Sequence, residues 1–182
     1  MRNFPPALKN LEISKCENLQ YLVDENVNNK SMSSNTRLLE HLEIMDCPSL
    51  ICINNFTFLR ELKVVYCSDD ISFQEEGFPT SLTSLEISNA PRIYTSLVEW
   101  GFNRFTFLQE LKISGEGCSN VVSFPEERIG RMLPPSLTYI SIHEFENLEY
   151  MCSKGFNISL LLKNCSLPIV SHLFQKKICF SR

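Results

Sequence analysis

The chain has 182 residues, 43% of them hydrophobic and 21% charged, which is the composition of a folded soluble protein with a single core. Its formal net charge of -4 argues against a nucleic-acid or anionic-membrane partner, because both need clustered Lys and Arg. No apolar run is long enough to cross a bilayer, and a Pro-Pro pair interrupts "MRNFPPALKN" where a signal peptide would be apolar. We therefore expect neither a membrane span nor a secretion signal.

One phrase recurs along the chain: "FPPALKNLEISKCENL" from position 4, "FPTSLTSLEISNAPRI" from position 78 and "LPPSLTYISIHEFENL" from position 133. It belongs to a Leu-x-x-Leu-x-Ile-x-x-Cys-x-x-Leu pattern, and repeat 1 carries it as Leu8, Leu11, Ile13, Cys16 and Leu19. The corresponding positions are Leu39, Leu42, Ile44, Cys47 and Leu50 in repeat 2; Leu59, Leu62, Val64, Cys67 and Ile71 in repeat 3; Leu82, Leu85, Ile87, Ala90 and Ile93 in repeat 4; Leu108, Leu111, Ile113, Cys118 and Val121 in repeat 5; and Leu137, Ile140, Ile142, Phe145 and Leu148 in repeat 6. A weaker seventh repeat is predicted at Leu160, Leu162 and Cys165. The spacings are close to the roughly 20 to 29 residues of a leucine-rich repeat.

Each repeat contains one predicted strand whose alternate apolar residues share a face. A single such strand cannot bury that face, so repeats stack into a parallel ladder with a continuous core. The sequence predicts an α/β fold: a leucine-rich-repeat solenoid, which is a curved right-handed superhelix with a parallel β-sheet on its concave face and a mostly irregular convex side with few short helices. We expect one domain over 1–182, clearest over 4–151, with a weak last repeat and a divergent tail over 152–182.

Three features outside the predicted strands indicate local structure. In "SLVEWGFNRF", Ser96 is predicted as the N-cap of a short helix that ends near Gly101, with Glu99 three residues after the cap. The polar residues 23–36 are predicted to form an exposed loop. Prolines precede the strands of the recurring phrase, where a missing N–H does least harm, and they are Pro5, Pro6, Pro79, Pro134 and Pro135.

The eight cysteines are Cys16, Cys47, Cys52, Cys67, Cys118, Cys152, Cys165 and Cys179. Cys16, Cys47 and Cys67 occupy the same slot of successive repeats, and a small apolar thiol suits a buried turn there. Disulfides and a metal site are the alternatives, although no Cys-x-x-Cys pair supplies the usual zinc spacing. Buried unpaired thiols favour a reducing intracellular compartment.

The residues between the inward-facing ones are predicted to point outward from the concave face and to supply the candidate partner-binding surface. We expect that surface to include Glu12, His41, Glu43, Glu61, Lys63, Ser84, Glu86, Ser88, Glu110, Lys112, Tyr139, Ser141 and His143. Its central row would read Glu12, Glu43, Lys63, Glu86, Lys112, Ser141, with Ser114 exposed in a neighbouring row. Signs alternate from Glu43 onward, so one interpretation is a self-neutralising ladder that only solubilises the sheet. In the other interpretation the exposed ends, Glu12 and Glu43, together with Tyr139 and His143, contact a partner.

No enzyme chemistry is predicted, because no nucleophile and base stand at an interpretable spacing. The histidines, His41, His143 and His172, are scattered, and the Glu75–Glu76 and Glu126–Glu127 pairs are sequential and typical of solvated loops. We expect no catalytic residue, no cofactor and no metal.

Five features of the sequence are distinctive in combination: "FPTSLTSLEIS", "LPPSLTYISIHEFENLEYM", the cysteine slot, "SFPEE" and "LVEWGF…FTFLQELKIS". With them the chain resembles plant nucleotide-binding leucine-rich-repeat disease resistance proteins, especially the C-terminal region of their coiled-coil class. The resemblance covers most of 4–151. It implies a cytoplasmic immune receptor whose repeats sense a pathogen effector or its host target, or restrain a nucleotide-binding switch. The chain lacks a Gly-x-x-x-x-Gly-Lys-Ser/Thr loop, so it is not itself that switch, and its tail "SLPIVSHLFQKKICFSR" departs from the family.

Two other classes use similar repeats: extracellular receptor or adhesion ectodomains and substrate adaptors of ubiquitin ligases. Glycosylation sequons occur at Asn29, Asn55, Asn157 and Asn164, but such short matches arise often by chance. Nothing before Leu8 resembles a polar cap, so we expect the sequence to be a fragment or a truncated relative of a larger receptor.

Overall fold

Within the part of the chain that the structure describes, six parallel five-residue strands form the main sheet. The computed structural model describes residues 7–23, 38–54, 56, 58–73, 78–124 and 133–151. The six strands are β1 (Asn10–Ser14), β3 (His41–Met45), β5 (Glu61–Val65), β6 (Ser84–Ser88), β7 (Glu110–Ser114) and β9 (Tyr139–His143). They neighbour one another in chain order, one strand from each of repeats 1 to 6. The predicted α/β fold with a parallel sheet and few helices is confirmed, and it is compatible with a solenoid, whose curvature and hand stay predictions.

Two further two-stranded sheets were not predicted from the sequence. They pair β2 (Tyr21–Val23) with β4 (Cys52–Asn54), and β8 (Ser123–Phe124) with β10 (Tyr150–Met151), again in parallel. Each of these strands follows the last apolar position of its repeat by two residues. Strands of two or three residues are too short to show a periodicity in the sequence.

The apolar positions of the repeats form the core. The register aligns one row of inward residues, Leu11, Leu42, Leu62, Leu85, Leu111 and Ile140, and a second row, Ile13, Ile44, Val64, Ile87, Ile113 and Ile142. All of these side chains are buried except Leu11, which is partly buried at the β1 edge of the sheet. The predicted inward face of the sheet is therefore confirmed.

Each main strand except β7 is followed by one residue in the left-handed region. These residues are Lys15, Asp46, Tyr66, Asn89 and Glu144, with φ between 51° and 57°. The backbone N–H of Lys15 donates to the Met45 carbonyl at 3.0 Å, and that of Asp46 donates to the Val65 carbonyl at 3.1 Å. The N–H of Tyr66 donates in the same way to the Ser88 carbonyl at 3.2 Å, so these three turns are each tied to the next strand and leave the sheet at the same position.

The cysteine slot lies directly after this turn. Cys47, Cys67 and Cys118 are buried, whereas Cys16 is half-buried, and Cys16, Cys47 and Cys67 form no disulfide. Cys47 donates from Sγ to the Met45 carbonyl at 3.3 Å. Burial raises the pKa of the Cys67 thiol to about 11, so it stays protonated and apolar at neutral pH. The structural role predicted for these thiols is confirmed for the described cysteines.

Repeat 5 departs from the others because "GEG" lengthens its turn. Ser114 was predicted to be exposed, and this was wrong: it is buried and its Oγ donates to the Glu144 carboxylate. The next residue, Gly115, lies so close to the Phe145 ring that a Cβ there would overlap it. Phe145 fills the cysteine slot of repeat 6, so the glycine makes room for the larger side chain of its neighbour.

The helix predicted to end near Gly101 is longer than expected. Helix α1 (Pro91–Trp100) begins five residues before Ser96, which lies inside it and is not its N-cap. The proline supplies the first helical residue, where its missing N–H costs nothing. The predicted end is confirmed, because Gly101 follows with φ of 92° and donates its N–H to the Leu97 carbonyl at 2.9 Å.

Aromatic side chains pack behind the sheet beside α1. Phe78 contacts Phe73, Trp100 and Phe105 with ring centroids 4.5, 5.3 and 5.4 Å apart. A second group joins Tyr94, Phe102, Phe124 and Phe145. These rings come from different repeats, so the irregular connections also contribute to the core.

The predicted loop beyond residue 23, the seventh repeat, the tail, and Pro5 and Pro6 lie outside the described residues.

Candidate functional site

An open groove of about 530 Å³ lies over the exposed face of the main sheet from β1 to β7. We call it the sheet groove, and its lining is Asn10, Leu11, Glu12, His41, Leu42, Glu43, Glu61, Leu62, Lys63, Ser84, Glu86, Glu110 and Lys112. Nine of the predicted surface residues are among them. Four others, Ser88, Tyr139, Ser141 and His143, lie on strands of the same sheet outside this lining.

The central row of the groove has the predicted order. The register aligns Glu12, Glu43, Lys63, Glu86, Lys112 and Ser141 across the six strands. Lys63 Nζ lies 2.7 Å from Glu43 Oε1 and 3.8 Å from Glu86 Oε1, and Lys112 Nζ lies 3.8 Å from Glu86 Oε2. Each lysine is thus shared between carboxylates of neighbouring repeats.

A second row of polar side chains lies two residues before the central row on each of these strands. His41 Nδ1 lies 2.8 Å from Glu61 Oε2, and Ser84 donates from Oγ to Glu110 Oε2 at 3.2 Å. Glu110 Oε1 also lies 2.9 Å from Lys112 Nζ, which links this row to the central one. Most of the groove floor is therefore one connected polar network, with the His41–Glu61 pair as a separate contact beside it.

Three side chains of this network have shifted pKa values: Lys63, Glu110 and Lys112. The hydrogen bond to Glu43 raises the pKa of the Lys63 ammonium, and the hydrogen bond to Glu110 raises that of Lys112. The Lys112 ammonium in turn lowers the pKa of the Glu110 carboxyl below its ordinary 4.5. These side chains stay charged throughout the neutral range.

The lowered pKa of Glu110 predicts an acid-sensitive contribution to stability. A carboxyl with a folded-state pKa below its unfolded value stabilises the fold above pH 4.5, and that stabilisation is lost as the pH falls through the folded pKa. We expect Glu110→Gln to remove this part of the pH dependence. Thermal melting from pH 7 to pH 3 checks it, because the difference in Tm between wild type and variant should shrink as the pH falls below 4.5. A constant difference would contradict the pairing with Lys112.

The two ends of the central row differ. Glu12 makes no hydrogen bond or ion pair with any described residue, as expected for a free end. Glu43 pairs with Lys63, as the alternation of signs predicts, and about one-third of its side chain stays exposed. At the β9 end, Lys112 Nζ lies 5.8 Å from the centre of the Tyr139 ring. Ser141 and His143 project beyond it.

The slot directly before the first leucine of each repeat is a further position whose role was not predicted from the sequence. It holds the exposed apolar side chains Leu38, Phe58 and Phe107 in repeats 2, 3 and 5, which are 48%, 55% and 63% exposed. In repeats 4 and 6 the slot holds Ser81 and Ser136, which donate to the Leu59 and Leu108 carbonyls of the preceding repeat at 2.7 and 2.8 Å. The aligned sequences of repeats 2 to 6 contained this signal, since each holds either a large apolar residue or serine in this slot.

Within the described ranges, no three His, Cys, Asp or Glu side chains are placed to hold a metal ion. The described part of the chain also contains no helix long and apolar enough to cross a membrane.

Comparison with curated proteins finds a relative in Arabidopsis thaliana whose name classes it as a disease resistance protein. The two are 40% identical over 81 residues, which is 44% of this chain and 5% of the relative. No protein-family model and no solved structure matches the chain. The similarity supports a relationship to plant disease resistance proteins, and the chain spans a small part of the length of the relative it matches.

Proposed function

We propose that the chain is a non-enzymatic protein-recognition module of plant innate immunity. The observation that carries this is the sheet groove, in which a regular apolar framework holds outward side chains of varied chemistry. The partial identity to a disease resistance protein supports the immune context. The leucine-rich-repeat solenoid belongs to the same proposal.

The partner is proposed to be a protein: a pathogen effector, its host target, or a nucleotide-binding domain of a parent receptor. The groove lining carries five glutamates and two lysines, a balance that repels nucleic acid. We also propose that the protein works in the cytoplasm, where buried thiols such as Cys47 and Cys67 stay reduced.

Site-specific photo-crosslinking tests the recognition surface. A photoreactive amino acid replaces Glu61, which lines the groove, and in a matched variant it replaces Thr95, which is exposed on α1. In extracts of pathogen-challenged leaf tissue we expect protein adducts at position 61 well above those at position 95. Equal adducts at the two positions, or none at either, would contradict the proposal.

A further inference from the structure

We propose that the sheet groove docks a cationic segment of the partner protein, with one arginine or lysine side chain bound between Glu12 and Glu43. This inference rests on the proposed recognition function of the same face. It specifies the charge of the partner segment and the position in the groove at which that charge binds.

The cations of the groove are already engaged. Lys63 lies between Glu43 and Glu86, and Lys112 lies between Glu86 and Glu110. With five glutamates against two lysines, the groove keeps an excess of negative charge after these pairs form. An anionic partner would be repelled, and a cationic one would be attracted and oriented by the field.

The position of the excess charge is set by the register. Glu12 lies directly beside Glu43, on neighbouring parallel strands about 4.8 Å apart. Two like charges in this relation destabilise the sheet. Glu43 is neutralised from its other side by Lys63 at 2.7 Å, while Glu12 is exposed and makes no ion pair with a described residue.

A cation between Glu12 and Glu43 would continue the alternation of signs that runs from Glu43 to Lys112. An arginine fits best, because its planar guanidinium can donate to two carboxylates at once. The adjacent groove wall, formed by Asn10 and the His41–Glu61 pair, is also polar. An extended basic loop matches this surface better than an apolar helix does.

Peptide titration followed by amide NMR spectra of the whole chain tests the charge requirement. The probe is the blocked peptide Gly-Ser-Arg-Gly-Ser, and its control carries neutral citrulline in place of arginine. We expect arginine-dependent shifts concentrated in β1 and β3 that weaken as salt is raised. Glu12→Gln should weaken binding by about 2- to 5-fold, in line with the small contribution of an exposed ion pair. Equal binding of the two peptides, or no arginine-dependent shifts in β1 and β3, would overturn the proposal.

A charge reversal separates binding from folding. Glu12→Lys places a cation beside Glu43 within the chain itself, so we expect it to abolish arginine-peptide binding while raising the Tm by about 1 to 4 °C. Glu17→Lys makes the same charge change at an exposed residue outside the groove lining, and it should leave both readouts unchanged. A Glu12→Lys protein that binds the peptide like wild type would contradict the proposal.

Failure of this inference is distinguishable from failure of the proposed function. Crosslinking at position 61 without arginine-dependent peptide binding would reject the cationic partner and leave protein recognition standing. Loss of crosslinking at position 61 would reject the recognition function itself.

Discussion

Replacing Leu85 with Asp is expected to abolish cooperative folding of the chain. Leu85 is fully buried in β6, in register with Leu62 on one side and Leu111 on the other. Losing a buried leucine costs about 2 to 5 kcal/mol, and an unpaired carboxylate in the core adds a further penalty. The sum is comparable with the total stability of a typical domain, about 5 to 15 kcal/mol. Circular dichroism during heating should show no sharp transition.

Two matched variants identify the cause. Leu85→Ala removes the side chain without adding charge, so it should fold with a Tm well below wild type. Ser88→Asp adds the same charge to the opposite, half-exposed face of the strand, and it should melt close to wild type. A wild-type melting curve for Leu85→Asp would contradict the stacking of repeats 3, 4 and 5.

Gly115→Ala is expected to destabilise the chain by about 1 to 3 kcal/mol or more, although it adds one methyl group. The added Cβ would overlap the Phe145 ring, and Phe145 is itself buried against Tyr94 and Phe124. Overpacking forces side chains and backbone to move, at a cost of this size. Urea denaturation gives the change in the free energy of unfolding.

A double-mutant cycle with Phe145→Leu tests whether the cost comes from this contact. The smaller side chain should recover part of the loss in the Gly115→Ala background, which would appear as a coupling energy above about 0.5 kcal/mol. Gly117→Ala is the control, because its cost comes from placing alanine at a φ of 80°, and the added Cβ would meet only Pro91 at ordinary contact distance. It should not couple to Phe145. Strict additivity of Gly115→Ala and Phe145→Leu would contradict the steric explanation.

The ion pairs of the sheet groove are relevant to both interpretations of this face, the self-neutralising ladder and the partner-binding surface. Lys63 and Lys112 are each about one-third exposed and shared by two carboxylates, so part of the face does neutralise itself. Exposed pairs of this kind contribute little stability, about 0 to 1 kcal/mol each. The network therefore matters more for fixing the positions of side chains that a partner can contact than for holding the sheet together.

The sequence by itself determined the repeat frame, the parallel sheet and the residues on each of its faces. Leu85 and Glu86 illustrate why: successive strand residues point to opposite faces, and stacking repeats keeps one register, so a linear pattern translates directly into two surfaces. The order of charges from Glu12 to Lys112 follows from the same rule. It was predicted for every strand of the main sheet.

Only the tertiary structure decided features that depend on contacts between different repeats. Ser114 is buried because Glu144 of the next repeat accepts its hydrogen bond, and Gly115 is required because Phe145 occupies the neighbouring slot. Likewise, Glu43 is engaged because the Lys63 side chain turns toward it at 2.7 Å. Side-chain conformation and packing between repeats leave no periodic trace in the sequence, since each depends on which partner the stack brings alongside.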